Sequence, residues 1–157
     1  MSFHVRRQDR EISDLEEMQK ILKAAKSITI ALSMNNEPYL VSLSHGYDDK
    51  LNCLYFHCAP EGKKIVYMKA NSKVWGQAVV NYSVKGDCDY TYACVHFSGK
   101  VTLIHDVSEK YRAFECMIRQ LSKNPEEKIG KLKPEKLRNT GVGRIDIECI
   151  TGKKTKI

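Results

Sequence analysis

The residues best suited to chemistry lie in one stretch, Leu54-Tyr-Phe-His-Cys-Ala-Pro-Glu-Gly-Lys-Lys64. An apolar, strand-like run ends at His57 and Cys58. A turn over Ala59–Gly62 follows, and Lys63 and Lys64 open the next element. A helix beginning there presents free backbone N–H groups and a partial positive charge, which together make an anion site. Gly62 lets the backbone approach a ligand closely. Lys63 and Lys64 add formal charge, and His57 adds a hydrogen bond from the strand end. These parts suit a phosphate monoester. The same residues also read as a solvated helix start, with Cys58 as a packed thiol.

The elements that must position this stretch follow from periodicity. Ser13 and Glu16 have capping-box spacing, and Leu15, Met18, Ile21, Leu22 and Ala25 mark one helical face. A helix is predicted over 14–26. Strands are predicted at 27–33, 39–45 and 51–58, joined by turn residues as antiparallel hairpins. A short helix over 63–70 follows, then a long strand at 73–84, a turn at 85–89, and one long strand or a bent pair at 90–104. Ser108 is placed to cap a helix reaching Leu121. Residues 122–139 hold Pro125, Gly130 and Pro134 among many charges, and read as a mobile loop with at most a short helix. A last strand is predicted at 143–149, then a polar tail over 151–157. Hairpin-linked strands without βαβ alternation imply an antiparallel sheet. Six of them can close and remove their edges. The expectation is one domain over 1–157: mainly β (α+β), a six-stranded antiparallel split β-barrel with flanking helices.

The chain has 157 residues and a net charge of +7. Six of the seven excess charges fall in 123–139 and in the last five residues. The rest is close to neutral, with no basic stripe of the kind that binds nucleic acid, so no nucleic acid partner is expected. No segment approaches the roughly 18 apolar residues of a membrane span, so no membrane partner is expected either. The six cysteines, Cys53, Cys58, Cys88, Cys94, Cys116 and Cys149, show no CxxC or zinc-finger spacing. They read as reduced thiols of a cytoplasmic protein without a metal site. Trp75, Tyr90, Tyr92 and Phe97 are candidate walls for a planar ligand or core residues. His45 reads as structural or lining, and His4 and His105 as surface positions.

The stretch FHCAPEGKK at 56–64 resembles the phosphate loop of the flavin-binding split-barrel proteins related to pyridoxamine 5′-phosphate oxidase. It is most similar to their nitroimidazole-resistance branch. RRQDREISD at 6–14, EPYLVSLSHGYDD at 37–49, FSGKV at 97–101 and VGRIDIECITGK at 142–153 extend the resemblance along the chain in the same order.

That resemblance implies a homodimer with FMN at the subunit interface. Lys63 and Lys64 would hold the FMN phosphate with His57, Cys58, Ala59 and Gly62. The strand Leu40-Val41-Ser42-Leu43 would run along the isoalloxazine ring and bond it through main-chain groups. Tyr92 and His96 on the partner's long strand would close the site. The resemblance also makes His57 the candidate catalytic residue, near the flavin, an imidazole being the side chain type suited to proton transfer near neutral pH. The implied activity is an oxidoreductase acting on small-molecule donors and acceptors, nitroaromatic compounds among them. The alternative is a non-catalytic flavin or haem binding or sensor protein on the same scaffold. No C-terminal arginine-rich segment of the kind that binds pyridoxamine phosphate is present, so vitamin B6 oxidation is not expected.

Overall fold

A computed structural model of the chain describes residues 5–87 and 89–155. His4 and Cys88 lie outside these residues. The elements in chain order are β1 (Glu11–Ile12), α1 (Leu15–Ala24), β2 (Ser27–Met34), β3 (Glu37–Asp48), β4 (Cys53–Cys58), α2 (Lys63–Ala70), β5 (Lys73–Lys85), β6 (Asp89–Leu103), α3 (Val107–Leu121), α4 (Pro125–Ile129), α5 (Pro134–Arg138) and β7 (Gly141–Lys154).

The strands form one antiparallel sheet in the order β1-β7-β4-β3-β2-β5-β6, and β6 pairs again with β7. Six strands therefore close into a ring, with β1 as an added edge on β7. This is the six-stranded antiparallel architecture expected from the hairpin pattern. The β2–β3 hairpin turns through Asn35 and Asn36, whose φ angles are 52° and 63°. Met34 faces Glu37 across this two-residue turn, a hairpin geometry that Asn tolerates.

Ile28, Ile30, Leu32, Leu54, Phe56, Val95, Phe97 and Ile145 point into the ring and are almost fully buried. Phe97 is thus a core residue and not a ligand wall. A second cluster lies where α3 covers the outer face of the sheet: Cys53, Tyr55, Ile104, Ala113, Met117 and Val142.

Four sequence readings are corrected. Asp14, not Ser13, caps α1, its carboxylate accepting from Glu16 N at 3.0 Å. Asp106, not Ser108, caps α3 by accepting from Glu109 N at 2.8 Å. Asp competes well at N-cap positions, and two candidate caps lay within two residues in each case. The stretch 122–139 holds two short helices, each opening on a proline at its first turn, where the missing N–H costs nothing. The predicted tail is strand as far as Lys154, because β6 offers a partner out to Ala93.

Candidate functional site

Gly62 is the N-cap of α2, with φ 117° and ψ 177° and no side-chain capping bond. Only glycine adopts that conformation easily. It turns the chain sharply out of β4 and leaves the first N–H groups of α2 uncapped. Lys63 and Lys64 stand at this end. Lys63 Nζ lies 3.7 Å from Glu37 Oε1, and 4.7 Å and 5.3 Å above the rings of Tyr39 and Tyr67. An exposed pair of this kind contributes about 0–1 kcal/mol, so it is easily exchanged for a ligand. Lys64 is half-buried and, among the described residues, has no hydrogen bond or ion pair. It lies close enough to Cys58 to oppose the effect of burial, which pushes the Cys58 thiol up.

β3 supplies the second part. Its residues from Glu37 to Ser44 pair with β2 on one side, whereas β4 pairs only with His45–Asp48. Among the described residues, no strand pairs with the other edge of Glu37–Ser44. That edge carries main-chain donors and acceptors open to a ligand. The strand alternation sorts the expected residues: Leu40 and Ser42 point outward and are exposed, whereas Val41 and Leu43 point into the core. Val41 and Leu43 can therefore serve a ligand only through their main chain.

The outward side chains continue across the sheet. Thr29 Oγ1 and Ser42 Oγ are 2.9 Å apart. Thr29 faces Gln77 on β5, and Gln77 faces His96 on β6. One step along, Leu40 faces Ala31 and Ala31 faces Trp75. Leu40, Thr29, Ala31, Trp75, Gly76, Gln77 and His96 line a shallow, mostly apolar cleft of about 280 Å³. Partial burial, and then the positive charge of Lys153, lower the pKa of His96, so its ring is neutral at pH 7.

The other expected residues are more dispersed. His57 is exposed on β4, and its ring stacks on Phe114 of α3 with centroids 5.6 Å apart. It is not among the residues lining the cleft. Tyr92 lies four residues before His96 on β6, stacked on Tyr90 at 5.6 Å, with Lys153 Nζ 5.9 Å above its ring. Cys58 packs against the core, whereas Ala59 is exposed beside Gly62. His45 is fully buried and His105 exposed, as expected. Thr29, Ala31 and Gln77 were not expected. Their signal was strand alternation: they share an outward face with Ser42 and Leu40 once the register is known.

Among the described residues, no helix is long and apolar enough to cross a membrane, and no cluster of His, Cys, Asp or Glu has metal-binding geometry.

Comparison with known proteins places this geometry. No curated protein matches the chain. A candidate 5-nitroimidazole antibiotic resistance protein from Bacteroides thetaiotaomicron is similar in structure, with a TM-score of 0.78 and 25% identity, over 92% of this chain and 86% of that one. A flavocytochrome from Azotobacter vinelandii has a TM-score of 0.80 at 16% identity, over 98% and 73% of the two chains. An FAD and heme binding protein from Mycobacterium smegmatis has a TM-score of 0.80 at 12% identity, over 94% and 74%. The family model described as pyridoxamine 5′-phosphate oxidase matches residues 14–154. That match spans every strand of the ring, and the chain belongs to the pyridoxamine 5′-phosphate oxidase family.

Proposed function

We propose that this chain binds FMN and acts as a homodimeric, FMN-dependent oxidoreductase of the nitroimidazole-reductase type. The observation that carries the proposal is the unpaired edge of β3 at Glu37–Ser44, beside an apolar cleft and a lysine-bearing helix N-terminus. A planar ring with polar edges and a phosphate tail needs those three features together. Bound flavin supplies hydride and single-electron transfer, chemistry that no side chain has.

The chain's own residues do the holding. The main chain from Leu40 to Leu43 would bond the ring edge, and Leu40 and Trp75 would cover apolar surface. Lys63, Lys64, Ala59 and Gly62 would take the phosphate, with His57 and Cys58 at the base of the loop. Neutral His96 and Gln77 would offer hydrogen bonds across the cleft, and Tyr92 would close its rim. Either imidazole, His57 or His96, is placed to hold a proton at a ring nitrogen.

A shallow cleft leaves a flavin wet, and a second copy would seal it. Leu40, Trp75 and Val79 are exposed apolar residues, as are Tyr82, Val84 and Tyr90 near the end of the β5–β6 hairpin. A surface of that kind marks an interface. The similarity to a flavocytochrome and to an FAD and heme binding protein supports a second reading, in which the chain carries a flavin or haem without turnover.

The first experiment is an absorption spectrum of the purified protein, followed by FMN titration. A flavin doublet, or tight uptake of added FMN, is expected. A colourless protein that takes up no FMN overturns the proposal, and a Soret band selects haem. Turnover of nitroaromatic acceptors with a reduced nicotinamide donor separates enzyme from carrier. Lys64→Ala should weaken FMN binding by roughly 10- to 100-fold, the cost of one charge-assisted hydrogen bond. Lys63→Ala should cost less, because Lys63 must leave Glu37 first.

A further inference from the structure

Lys110 is a buried lysine, 6% exposed, on the first turn of α3. Its ammonium faces main-chain carbonyls and, among the described residues, no carboxylate. Nζ donates to Leu137 O at 3.1 Å, Arg138 O at 3.2 Å and Thr140 O at 2.8 Å. All three of its donors are used. Leu137 O and Arg138 O are the last carbonyls of α5, and Leu137 O also accepts from Thr140 N at 3.2 Å. A buried ammonium is costly unless fully bonded, so this arrangement fixes the position of 137–140 closely.

The next residue is Gly141, the start of β7. Gly141 pairs with Cys58. A Cβ on Gly141 would lie 2.8 Å from Ala59 O and 3.0 Å from Cys58 O. The main chain of Cys58–Ala59, the base of the loop leading to Gly62 and Lys63, therefore rests directly on Gly141. One helical turn past Lys110 on the same face of α3, Phe114 stacks under His57. Lys110 and Phe114 thus hold the two sides of one corner, the end of β4.

We infer that Lys110 is a positioning residue for the phosphate loop, acting through α5 and Gly141 on the main chain of Cys58–Ala59. The inference rests on the phosphate reading of Lys63 and Lys64. It also gives the end of the stretch 122–139 a role: α5 carries two of the three carbonyls through which Lys110 sets the loop.

The test compares FMN with riboflavin, which lacks only the phosphate, by fluorescence titration of the whole chain. The wild type should prefer FMN. Lys110→Met should lower FMN affinity about tenfold and leave riboflavin affinity within about twofold, because a misplaced loop forfeits phosphate bonds alone. Lys110→Arg, which retains a charged donor, should recover part of the preference. Gly141→Ala keeps Lys110 in place and pushes on Ala59 O, so it should show the same selective loss. It decides the matter if Lys110→Met does not fold. A Lys110→Met or Gly141→Ala protein that keeps the wild-type FMN-to-riboflavin ratio overturns the inference. Equal loss for both ligands overturns it too, because that is a general loss of structure. A wild type that shows no preference for FMN overturns the phosphate reading itself.

Discussion

His57 of β4 and Phe114 of α3 stack with their ring centroids 5.6 Å apart and their planes 26° from parallel. The stack anchors the imidazole to the helix that covers one part of the sheet. A ring held there braces the end of β4 against α3. His96, in contrast, lines the cleft itself.

The two roles of His57 separate in His57→Phe. This substitution keeps an aromatic partner for Phe114 and removes both ring nitrogens. FMN affinity should fall about fivefold, the equivalent of one hydrogen bond of about 1 kcal/mol. Turnover per bound flavin should stay within about twofold. A proton-transfer role would instead show as a fall of about 100-fold or more in kcat, with flavin content unchanged. Steady-state kinetics on flavin-saturated protein read the difference.

Trp75 is 48% exposed and lies between Ala31 and Ser98 on the open face. Aromatic residues at the centre of an interface commonly contribute 2 kcal/mol or more. Trp75→Glu should weaken a dimer by about 30-fold or more, because it removes apolar area and adds charge twice across a two-fold axis. Sedimentation velocity at micromolar concentration should show the wild type as a dimer and the variant as a monomer. FMN binding should fall in parallel if the partner seals the cleft. A wild type that runs as a monomer overturns this prediction.

Much of the ring was legible because its signal is local. Alternation in Ser27-Ile-Thr-Ile-Ala-Leu-Ser33 and turn chemistry at Asn35-Asn36 need no knowledge of the rest of the chain. The β2–β3 hairpin follows from them. The turn from β4 into α2 was legible for the same reason: Gly62, Lys63 and Lys64 are consecutive. The cleft was less so. Gln77 meets Thr29 and His96 only through strand registers that join residues far apart in sequence. Lys110 was hidden entirely. On a helix of mixed pattern it looks like any surface lysine, and the carbonyls that bury it come from a stretch whose prolines and glycine suggested a loop.

The thiols divide by environment. Burial pushes the Cys53 thiol up to about 11 and the Cys116 thiol up to about 12. The thiolate is the reactive form, so at pH 7.5 both should resist alkylation. Cys149 is exposed. Brief treatment with iodoacetamide and peptide mass spectrometry should find Cys149 modified while Cys53 and Cys116 remain intact. In urea all three should react alike. Early modification of Cys53 in the native protein would mean that the layer under α3 opens readily.

His45 should make the fold sensitive to acid. Its Nε2–H donates to Leu22 O at 2.8 Å, while Nδ1 is buried without a partner among the described residues. The neighbour facing it from α3 is Gln120. That amide is itself committed: its Nε2 donates to Leu22 O and Ala25 O, and its Oε1 accepts from Tyr47 N. No acceptor is therefore at hand for a second ring proton. Burial lowers the His45 pKa from its ordinary 6.5, and the bond to Leu22 O only partly opposes this. The folded state thus binds the proton less readily than the unfolded chain. The stability this contributes is fully present above about pH 6.5 and is lost as pH falls below it towards the folded pKa, by at most about 1.4 kcal/mol per pH unit for one group. His96, also lowered, adds a contribution of the same sign. Urea denaturation between pH 7.5 and 5.0 should show the loss, and His45→Gln, which retains a donor for Leu22 O, should make the slope shallower by up to one proton's worth. An unchanged slope in His45→Gln would show that His45 finds an acceptor when charged, and that the core tolerates its protonation.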